Sequence, residues 1–450
     1  MSASLLQENS RPAIRSPSSA ALQLQERAHA LIPGGCHTYA KGDDQWPSNA
    51  PRFIVRGEGC HIWDSDGNEF IEYGMGCRAV TLGHRFPRVV EATRKALEYG
   101  CNFSRPAPIE MECAETLLSL IDGADMVKFS KDGSAATTSA VKLARAHTGR
   151  DHVALCADHP FFSTSDWFIG TTAINAGIPQ AIQDLSLTFR YNDIESVRTL
   201  FEQNAGRIAA LIMEPAKYED PKDNFLHQVQ KLCRQNGTVF ILDEMITGFR
   251  WHNGGAQKYY DIVPDLSTFG KALANGFSVS ALAGKREIME LGGLHHDKER
   301  VFLLSTTHGA ETHSLAAAIE TMKTYIQEPV IETVWRQGDR LRRGLDEVIA
   351  RHGLQDHFQV IGKPCAQVFV CRDSEGQPSP EYRTLFLQET IKQGLLMTSL
   401  IISYSHSDED VDRTIDGIDT ALEVYSHALD EGVDKYLVGP PSKTVYRKFN

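Results

Sequence analysis

The sequence lacks the patterns that mark several common classes of protein. No two of its nine cysteines are spaced CxxC, and it contains neither a GxGxxG nor a GxxxxGK[ST] motif. Zinc-ribbon, dinucleotide-binding and P-loop classes are therefore not indicated. Positive charge is also scarce, since 46 Lys and Arg face 58 Asp and Glu, a formal net charge of −12. A nucleic-acid or anionic-membrane surface needs clustered Lys and Arg, so neither kind of partner is expected.

Long hydrophobic runs are absent as well. No stretch approaches the length of a membrane span, and the first twenty residues contain no apolar segment of the kind that directs secretion. The cysteines are scattered and odd in number, which is typical of reduced thiols rather than of a disulfide framework. We therefore expect a cytoplasmic protein, and its 42% hydrophobic and 23% charged residues are ordinary for a globular fold.

The 450 residues are enough for one large domain and one smaller domain. The first residues are rich in Ser and Pro, and the middle of the chain alternates helices with short apolar strands. Helices are also predicted over 21–32, over 330–352 and from Asp408 onward, with strands near 358–372. The predicted division is a flexible N-terminal arm (1–20), a small α+β domain (21–75 and 326–450) and a large α/β domain (76–325).

Three unbroken apolar runs predict buried parallel strands. They are HVALC (152–156), AALIME (209–214) and TVFILDE (238–244), and helical segments separate them. Such runs are typical of strands covered on both faces, and strand–helix–strand repetition predicts a doubly wound α/β sheet. In such a sheet, ligands bind at the carboxyl ends of strands, where Glu214 and Asp243 lie. For Glu214 alone, a salt bridge or a helix cap is the better interpretation.

Two stretches place glycine and hydroxyl groups before a helix. SKDGSAATTSAVKLARA (130–146) contains Gly133 and Ser134, and STTHGAETHSLAAAIETM (305–322) contains Thr307. The free amides of a helix N-terminus, together with such hydroxyls, bind anions. A plain helix cap is the commoner use of either pattern, so neither stretch decides a function alone.

A lysine in a turn of small residues completes a combination that suits pyridoxal phosphate (PLP). Lys271 lies in STFGKALANGFS (267–278), and the aldehyde of the cofactor needs such a lysine for a Schiff base. Its phosphate needs amides and hydroxyls at a helix N-terminus, and its pyridinium nitrogen needs a carboxylate such as Asp243. The histidines at 295–296, 308 and 313 lack the spacing of a metal site, and no metal is predicted.

The spacing of two motifs resembles a known family. DEMITGFR (243–250) is followed by STFGKALANGF, with Asp243 twenty-eight positions before Lys271 (271 − 243). This resembles the class III branch of the fold-type-I PLP-dependent aminotransferases, which have a large domain with a mostly parallel sheet and a smaller α+β domain. Within that branch the chain is most similar to the glutamate-1-semialdehyde 2,1-aminomutases. Further matching stretches are LIPGGCHTYAKG (31–42), WDSDGNEFIEY (63–73), LIMEPA (211–216) and THGAETHSLAAA (307–318).

The resemblance implies how the ring of the cofactor is bound. Lys271 would form the Schiff base and shuttle a proton between substrate and cofactor. Asp243 would pair with the pyridinium nitrogen, so both residues are predicted to be catalytic. Met245 would pack on a ring face, and Phe161 would stack on the ring where the family has a tyrosine.

The resemblance also implies how the phosphate is bound. Gly133 and Ser134 would bind it from their own chain. Thr307 would reach it from the neighbouring subunit, because the family builds its site at the interface of a homodimer. Glu214, in the matched LIMEPA stretch, is added to the predicted cofactor-binding residues.

Four residues on the expected substrate side depart from the family pattern. Thr38 and Lys41 stand where the aminomutases present a Ser and an Arg to the substrate carboxylate, and Cys77 and Arg78 replace a Trp and a Gly. Lys lacks the bidentate fork of Arg. Arg78 offers a new anchor for a carboxylate or phosphate, with a structural or exposed Arg as an equal alternative. A rebuilt substrate pocket is therefore predicted.

The function implied is that of a PLP-dependent aminotransferase. It would transfer an amino group to or from a small carbonyl or amino-acid-like substrate, with pyridoxamine phosphate (PMP) as the intermediate cofactor form. Its partners would be a small-molecule amino donor and a carbonyl acceptor. The alternative is an aminomutase, which moves an amine within one molecule. A non-catalytic member of the fold is disfavoured because Lys271 is intact.

Overall fold

The computed structural model describes residues 14–159 and 161–449. In chain order, its strands are β1 (Ile54–Glu58), β2 (His61–Asp64), β3 (Glu69–Glu72), β4 (Met126–Ser130), β5 (His152–Cys156), β6 (Ser186–Phe189), β7 (Ile208–Met213), β8 (Val239–Asp243), β9 (Leu266–Phe269), β10 (Ser280–Gly284), β11 (Phe358–Ile361), β12 (Val368–Cys371) and β13 (Leu395–Leu396).

The helices follow the same numbering. They are α1 (Ser19–Leu31), α2 (Met75–Arg78), α3 (Pro87–Leu97), α4 (Pro108–Leu118), α5 (Gly133–Thr148), α6 (Asp166–Ile169), α7 (Gln180–Gln183), α8 (Ile194–Gln203), α9 (Phe225–Asn236), α10 (Gly255–Tyr259), α11 (Arg286–Met289), α12 (Thr312–Gln327), α13 (Val330–Arg351), α14 (Pro380–Lys392) and α15 (Asp408–Glu431). Among the residues described, none of these helices combines the length and apolar character that crossing a membrane requires.

Seven strands form the larger sheet, in the order β4-β10-β9-β8-β7-β5-β6. Strand β10 runs antiparallel to both of its neighbours, and the strands from β9 to β6 pair in parallel. Strands β5, β7 and β8 are buried along their whole length, as apolar runs require when helices cover both faces of a sheet. The predicted α/β sheet and its three apolar strands are confirmed.

Local sequence signals determine where the helices that cover the sheet begin and end, as α5 and α9 show. The carboxylate of Asp132 caps α5 by accepting a hydrogen bond from the Ala135 amide at 2.9 Å. Gly237 ends α9 with a φ of 59°, in the left-handed region that glycine adopts without strain. Helix α9 connects β7 to β8, so the carboxyl ends of these two parallel strands lie at the same edge of the sheet.

A second core joins segments from the two ends of the chain. Strand β13 pairs in parallel with β3, and the order of this smaller sheet is β1-β2-β3-β13. Buried residues between 60 and 80 pack with residues of 334–428 in one apolar cluster. The boundaries of the two domains remain a prediction.

The N-terminal arm predicted over 1–20 falls mostly outside the described residues, which begin at Ile14. The Ser18 amide donates a hydrogen bond to the Asp66 carboxylate at 3.0 Å, which ties this segment to the turn between β2 and β3. The Ser18 oxygen also accepts from the Ala21 amide at 3.2 Å. Because Ser18 is the cap, α1 begins at Ser19, two residues before its predicted start.

The register of the central strands decides which side chains meet at the carboxyl edge. Met213 pairs with Leu242, and Asp243 pairs with Thr268. Paired residues of neighbouring strands point to the same face and lie about 5 Å apart. Glu214, Asp243 and Thr268 therefore lie side by side at this edge.

Candidate active site

Asp243 is the last residue of β8, and its carboxylate is buried. One carboxylate oxygen accepts hydrogen bonds, and the other has no donor among the described residues. Its Oδ1 accepts hydrogen bonds from the Met245 amide at 3.0 Å and from the Thr268 hydroxyl at 3.1 Å. No residue in the described ranges donates a hydrogen bond to its Oδ2. Because a buried carboxylate oxygen needs a donor, Asp243 is arranged to accept a hydrogen bond from a ligand.

The electrostatics of Asp243 favour a positively charged ligand group. Burial, with a further contribution from the charge of Glu214, raises the pKa of Asp243 to about 7, and Lys271 opposes this rise. A cation placed against Asp243 stabilises its ionised form. A protonated ring nitrogen is such a cation.

Lys271 is the second residue after β9 and begins a 3-10 turn (Lys271–Ala274). Its φ of 43° is in the left-handed region, where a non-glycine residue is strained. Burial lowers the pKa of its amine, and the charges of Asp243 and Glu214 oppose that fall. Its amine forms no hydrogen bond or ion pair with any residue the structure describes. A lysine with a lowered pKa is suited to act as a nucleophile.

Two glycines flank Met245 and leave no room for a side chain. A Cβ at Gly270 would lie 2.6 Å from the Met245 sulfur, and one at Gly133 would lie 2.9 Å from it. Both distances are shorter than real Cβ contacts, so both positions require glycine while Met245 keeps its place. The start of α5, Met245 and Lys271 therefore border one small space.

The N-terminus of α5 supplies amides to this space. Asp132 caps the helix, so the plain-cap interpretation of this stretch also holds. The Ser134 oxygen accepts a hydrogen bond from the Thr164 amide at 3.0 Å, which leaves the hydroxyl proton free to donate. The amides of Gly133 and Ser134 lie in the first turn, where no partner exists inside the helix. These groups suit a phosphate.

Phe161 lies in the loop after β5 and is accessible. It is 44% exposed, and it meets Phe168 edge-on with 5.6 Å between ring centroids. Its neighbour Phe162 is buried in the core of the larger sheet. Of the two rings, Phe161 is the one free to stack on a ligand.

Thr307 lies on the surface, apart from the buried group. Its carbonyl accepts a hydrogen bond from the Asn102 side chain at 3.0 Å. It lines a surface cavity of about 470 Å³ together with the segment 101–107. Among the described residues, no hydrogen bond or ion pair joins Thr307 to Lys271, and its predicted contact with a phosphate stays a prediction.

Cys77 and Arg78 lie in the left-handed turn Met75–Arg78. The φ angles of its residues are, in order, 40°, 57°, 57° and 70°. This conformation costs a non-glycine residue about 1–2 kcal/mol. Arg250, which is fully buried, stabilises the turn by donating hydrogen bonds to the Arg78 carbonyl at 2.8 Å and to the Thr81 hydroxyl at 3.0 Å. Strained backbone held in this way is typical of functional sites.

Three cations converge on Cys77. Surrounding protein desolvates the thiol and raises its pKa, although solvent still reaches the residue. The charges of Lys41, Lys271 and Arg78 each lower that pKa, which places all three within electrostatic range of the thiol. Lys41 and Thr38 are exposed, and the Thr38 side chain makes no hydrogen bond to the described part of the chain. The structure therefore brings Lys41, Cys77 and Arg78 to Lys271, but not Thr38.

Sequence reasoning missed three residues that the structure adds. Thr268 was not detectable without knowing that β8 and β9 pair in register. Arg250 lies inside the DEMITGFR motif, but nothing in the motif indicates that it is buried. Lys217 follows Glu214 by three residues, and its nitrogen lies 3.7 Å from the Glu214 carboxylate. The spacing of Glu214 and Lys217 was the one signal available in the sequence.

Cys60, His61 and Asp410 form a group whose potential metal-ligating atoms lie within 4.8 Å of one another. Asp410 already accepts hydrogen bonds from His61 at 3.0 Å, from the Ser407 hydroxyl at 2.7 Å and from the Cys60 thiol at 3.4 Å. This network ties β2 to the start of α15 and leaves the group satisfied without a metal.

The residues around Lys271 fit pyridoxal phosphate. Asp243 offers an oxygen without a donor for the ring nitrogen, and Lys271 offers a buried amine for the aldehyde. The first turn of α5 offers amides for the phosphate. Met245, which is 7% exposed, offers an apolar surface for the ring. This donor set matches each reactive or charged end of the cofactor.

Comparison with known proteins gives a family match over most of the chain. Residues 43–422 match the family described as Aminotransferase class-III. Glutamate-1-semialdehyde 2,1-aminomutase of Acetivibrio thermocellus is 32% identical over 424 residues, which cover 88% of this chain and 96% of that protein.

Solved structures give a similar result. The FumI protein of Sphingopyxis sp. MTA144, in its PLP internal aldimine form, has a TM-score of 0.85 and 28% identity and covers 94% of this chain and 99% of its own. An omega-transaminase from Sphaerobacter thermophilus has a TM-score of 0.83 and 25% identity and covers 91% of this chain and 98% of its own. The similar proteins thus include an omega-transaminase and an aminomutase.

Proposed function

The chain belongs to the class-III aminotransferases, whose cofactor is PLP, and from this premise we propose that it moves an amino group between a small amino donor and a carbonyl acceptor. Pyridoxamine phosphate is the cofactor form that carries the amino group between them. The observation that carries the proposal is the buried, unpaired amine of Lys271 next to Asp243, whose Oδ2 has no described donor.

Each residue of the site has a separate role in binding the cofactor or in proton transfer. Bound PLP supplies an electron sink for the negative charge that develops at the substrate Cα. Lys271 would bind the cofactor through Nζ, and its free amine would take the Cα proton of the substrate and deliver it to the C4′ carbon of the cofactor, as amino transfer requires. Asp243 keeps the ring nitrogen protonated by accepting its N–H at Oδ2. Gly133 and Ser134 bind the phosphate, and Met245 packs on the ring.

Three further residues complete the cofactor site. Phe161 stacks on the ring, supported by its accessible position. Glu214 adds a second negative charge beside Asp243, supported by its place in the register. Thr307 reaches the phosphate of a second copy of the chain in a homodimer. Phe103, which is 51% exposed in the same cavity as Thr307, supports this assembly because a partner would cover it.

We assign substrate binding to the residues around Cys77, which include two lysines and an arginine. Arg78 and Lys41 bind an anionic group of the substrate, while Cys77 and Thr38 line its pocket. Support comes from the convergence of Lys41, Arg78 and Lys271 on the Cys77 thiol. A carboxylate or phosphate gains most from such a set of charges.

A second candidate function is that of an aminomutase. The Acetivibrio relative, whose name states this activity, favours it through 32% identity over 96% of that protein. Against it stand the substitutions at Lys41, Cys77 and Arg78, which alter the side that would recognise the aminomutase substrate. The aminotransferase is therefore the stronger proposal.

A half-reaction experiment separates the two functions. The PLP-loaded protein is mixed with single amino donors, and loss of the near-visible cofactor band and release of a keto product are followed. An aminotransferase consumes donor, releases one equivalent of keto product, and recovers the band when a carbonyl acceptor is added. An aminomutase turns over one substrate without a donor and releases no keto product. Protein that forms no borohydride-removable band with PLP contradicts both candidates.

A further inference from the structure

A second lysine is buried beside the active-site carboxylates. Lys217 lies three residues after Glu214, in the loop that leaves β7, and the two side chains are 7% and 4% exposed. The Lys217 nitrogen lies 3.7 Å from Glu214 Oε1. An isolated charge is costly to bury, so each side chain depends on the other. None of the binding or catalytic steps proposed above uses Lys217.

Glu214 couples Lys217 to Asp243. Because Met213 pairs with Leu242, the next residues along the two strands, Glu214 and Asp243, project side by side about 5 Å apart. Burial and the Glu214 charge together raise the pKa of Asp243, as expected of two neighbouring buried carboxylates. Glu214 Oε2 is buried and has no hydrogen-bond partner among the described residues.

Apart from Lys271, the other groups that face Glu214 carry no positive charge. His159 Nδ1 accepts a hydrogen bond from the Glu214 amide at 3.0 Å, so the ring proton is on Nε2, and burial lowers the pKa of His159 to about 4. Cys156 and Tyr191 also lie within electrostatic range of Glu214, and burial raises both of their pKa values. All three side chains are therefore neutral near pH 7, which leaves Lys217 to balance Glu214.

We propose that Lys217 is a positioning residue that keeps Glu214 ionised, so that Glu214 and Asp243 together retain the proton on the ring nitrogen of the cofactor. The inference rests on the proposed function, in which Lys271, also within electrostatic range of Glu214, is bound to the cofactor. The two negative charges of Glu214 and Asp243 then balance the two positive charges of Lys217 and the protonated ring nitrogen. Without Lys217, the buried Glu214 carboxylate loses the cation 3.7 Å away, and an unpaired charge is costly to bury.

A pH titration of the NMR signal of the ring nitrogen, in protein loaded with PLP that carries the NMR-active nitrogen isotope at that position, tests this role. The variants are Lys217→Met, Lys217→Arg, Glu214→Gln and the double variant Lys217→Met/Glu214→Gln. The matched control is Lys222→Met, since Lys222 forms a pair of the same spacing with Glu219 in the same loop, but both side chains are exposed. Equilibrium binding of PLP to the apo protein and thermal unfolding of the apo protein are measured alongside.

The expected result is a set of titration midpoints that depends on the charge of Glu214. Glu214→Gln lowers the midpoint by about one pH unit, because loss of a nearby negative charge weakens proton binding about tenfold. Lys217→Met moves the midpoint in the same direction, and adding Glu214→Gln changes it no further. Lys217→Arg and the Lys222→Met control keep the wild-type midpoint and the wild-type affinity of the apo protein for PLP.

Two results would overturn the proposal. In the first, the midpoint rises in Lys217→Met and falls only when Glu214→Gln is added, which means that Glu214 stays ionised without Lys217. In the second, all midpoints are equal and only the unfolding temperature changes, which leaves Lys217 a packing role. If Lys217→Met does not fold, the double variant, which buries no unpaired charge, must match Glu214→Gln. A wild-type protein that forms no band with PLP contradicts the proposed function instead.

Discussion

Two regions of the candidate site are built in opposite ways. The cofactor floor consists of Gly133, Asp243, Met245, Gly270 and Lys271. The substrate rim consists of Thr38, Lys41, Cys77 and Arg78. The floor lies at strand ends and at the first turn of a long helix, with main-chain hydrogen bonds and tight glycine contacts around it. The rim lies on short turns, is largely open to solvent, and includes consecutive left-handed residues.

This difference in structure suggests different roles for the two regions: the floor suits the chemical reaction, and the rim suits substrate recognition. Side chains at the edge of a buried sheet have few alternative positions, so they suit the precise placement that a chemical step needs. Side chains on loops are free to change without disturbing the core, so they suit recognition of a particular substrate. The residues of the floor therefore indicate the type of reaction. Which substrate the residues of the rim recognise must be measured by comparing substrates.

Lys271→Ala is the change with the largest expected effect. Turnover should fall on the order of 10⁵-fold, because the same amine is nucleophile and proton carrier. The near-visible band that borohydride removes should be absent from the PLP-treated variant, as measured by absorbance. Lys231→Ala, at an exposed lysine of α9, should keep both the band and the turnover. A Lys271→Ala protein with a reducible band and full turnover would contradict the floor as described.

Asp243→Asn is expected to lower turnover on the order of 10³-fold. The amide keeps the shape of the carboxylate but loses the charge that retains the proton on the ring nitrogen, and misplaced charge at a preorganised site has an effect of this size. Steady-state rates at saturating donor measure it. Thr268→Val, which removes one hydrogen bond to Asp243 but leaves its charge, should cost only about tenfold. Equal losses in the two variants would mean that the charge of Asp243 is not what matters.

The floor could be predicted from the sequence because its signals are local. An apolar run that ends in Asp, a glycine before a helix, and a lysine in a turn of small residues each carry their meaning within a few positions. What could not be predicted depends on pairing between distant segments. Thr268 joins Asp243 only through the register of β8 with β9. Lys217 matters only because the register of β7 with β8 places Glu214 beside Asp243.

The sequence identified which residues of the rim depart from the family pattern, but it did not predict the backbone conformation of the rim. Nothing in the sequence MGCR indicates consecutive left-handed residues, since only one of its positions is glycine. The turn depends on Arg250, which lies 172 positions away from Arg78 and donates to its carbonyl. The proposed contact of Thr307 with the phosphate would likewise depend on a second chain, which no local pattern describes.

Arg78→Ala and Lys41→Ala test whether the rim recognises charge. Each should lower kcat/KM about 10–100-fold for an acidic substrate, because a charge-assisted hydrogen bond contributes about 1.5–3 kcal/mol, and should change it little for a neutral one. Arg85→Ala is a matched control, since Arg85 is exposed and its φ of 53° is also left-handed. Equal losses for acidic and neutral substrates would remove Arg78 and Lys41 as anion anchors.

The smallest expected effect concerns stability, where two positions of the rim, one left-handed and one not, should respond to glycine with opposite signs. Arg78→Gly should have a free energy of unfolding about 0.5–1 kcal/mol above that of Arg78→Ala, because glycine relieves the left-handed strain at a φ of 70°. Lys41→Gly should instead be less stable than Lys41→Ala by a similar amount, since Lys41 is not among the residues with positive φ. Denaturant unfolding of the four apo variants measures both differences. If glycine stabilises neither position, the left-handed turn stores no strain, and the rim differs from the floor only in exposure.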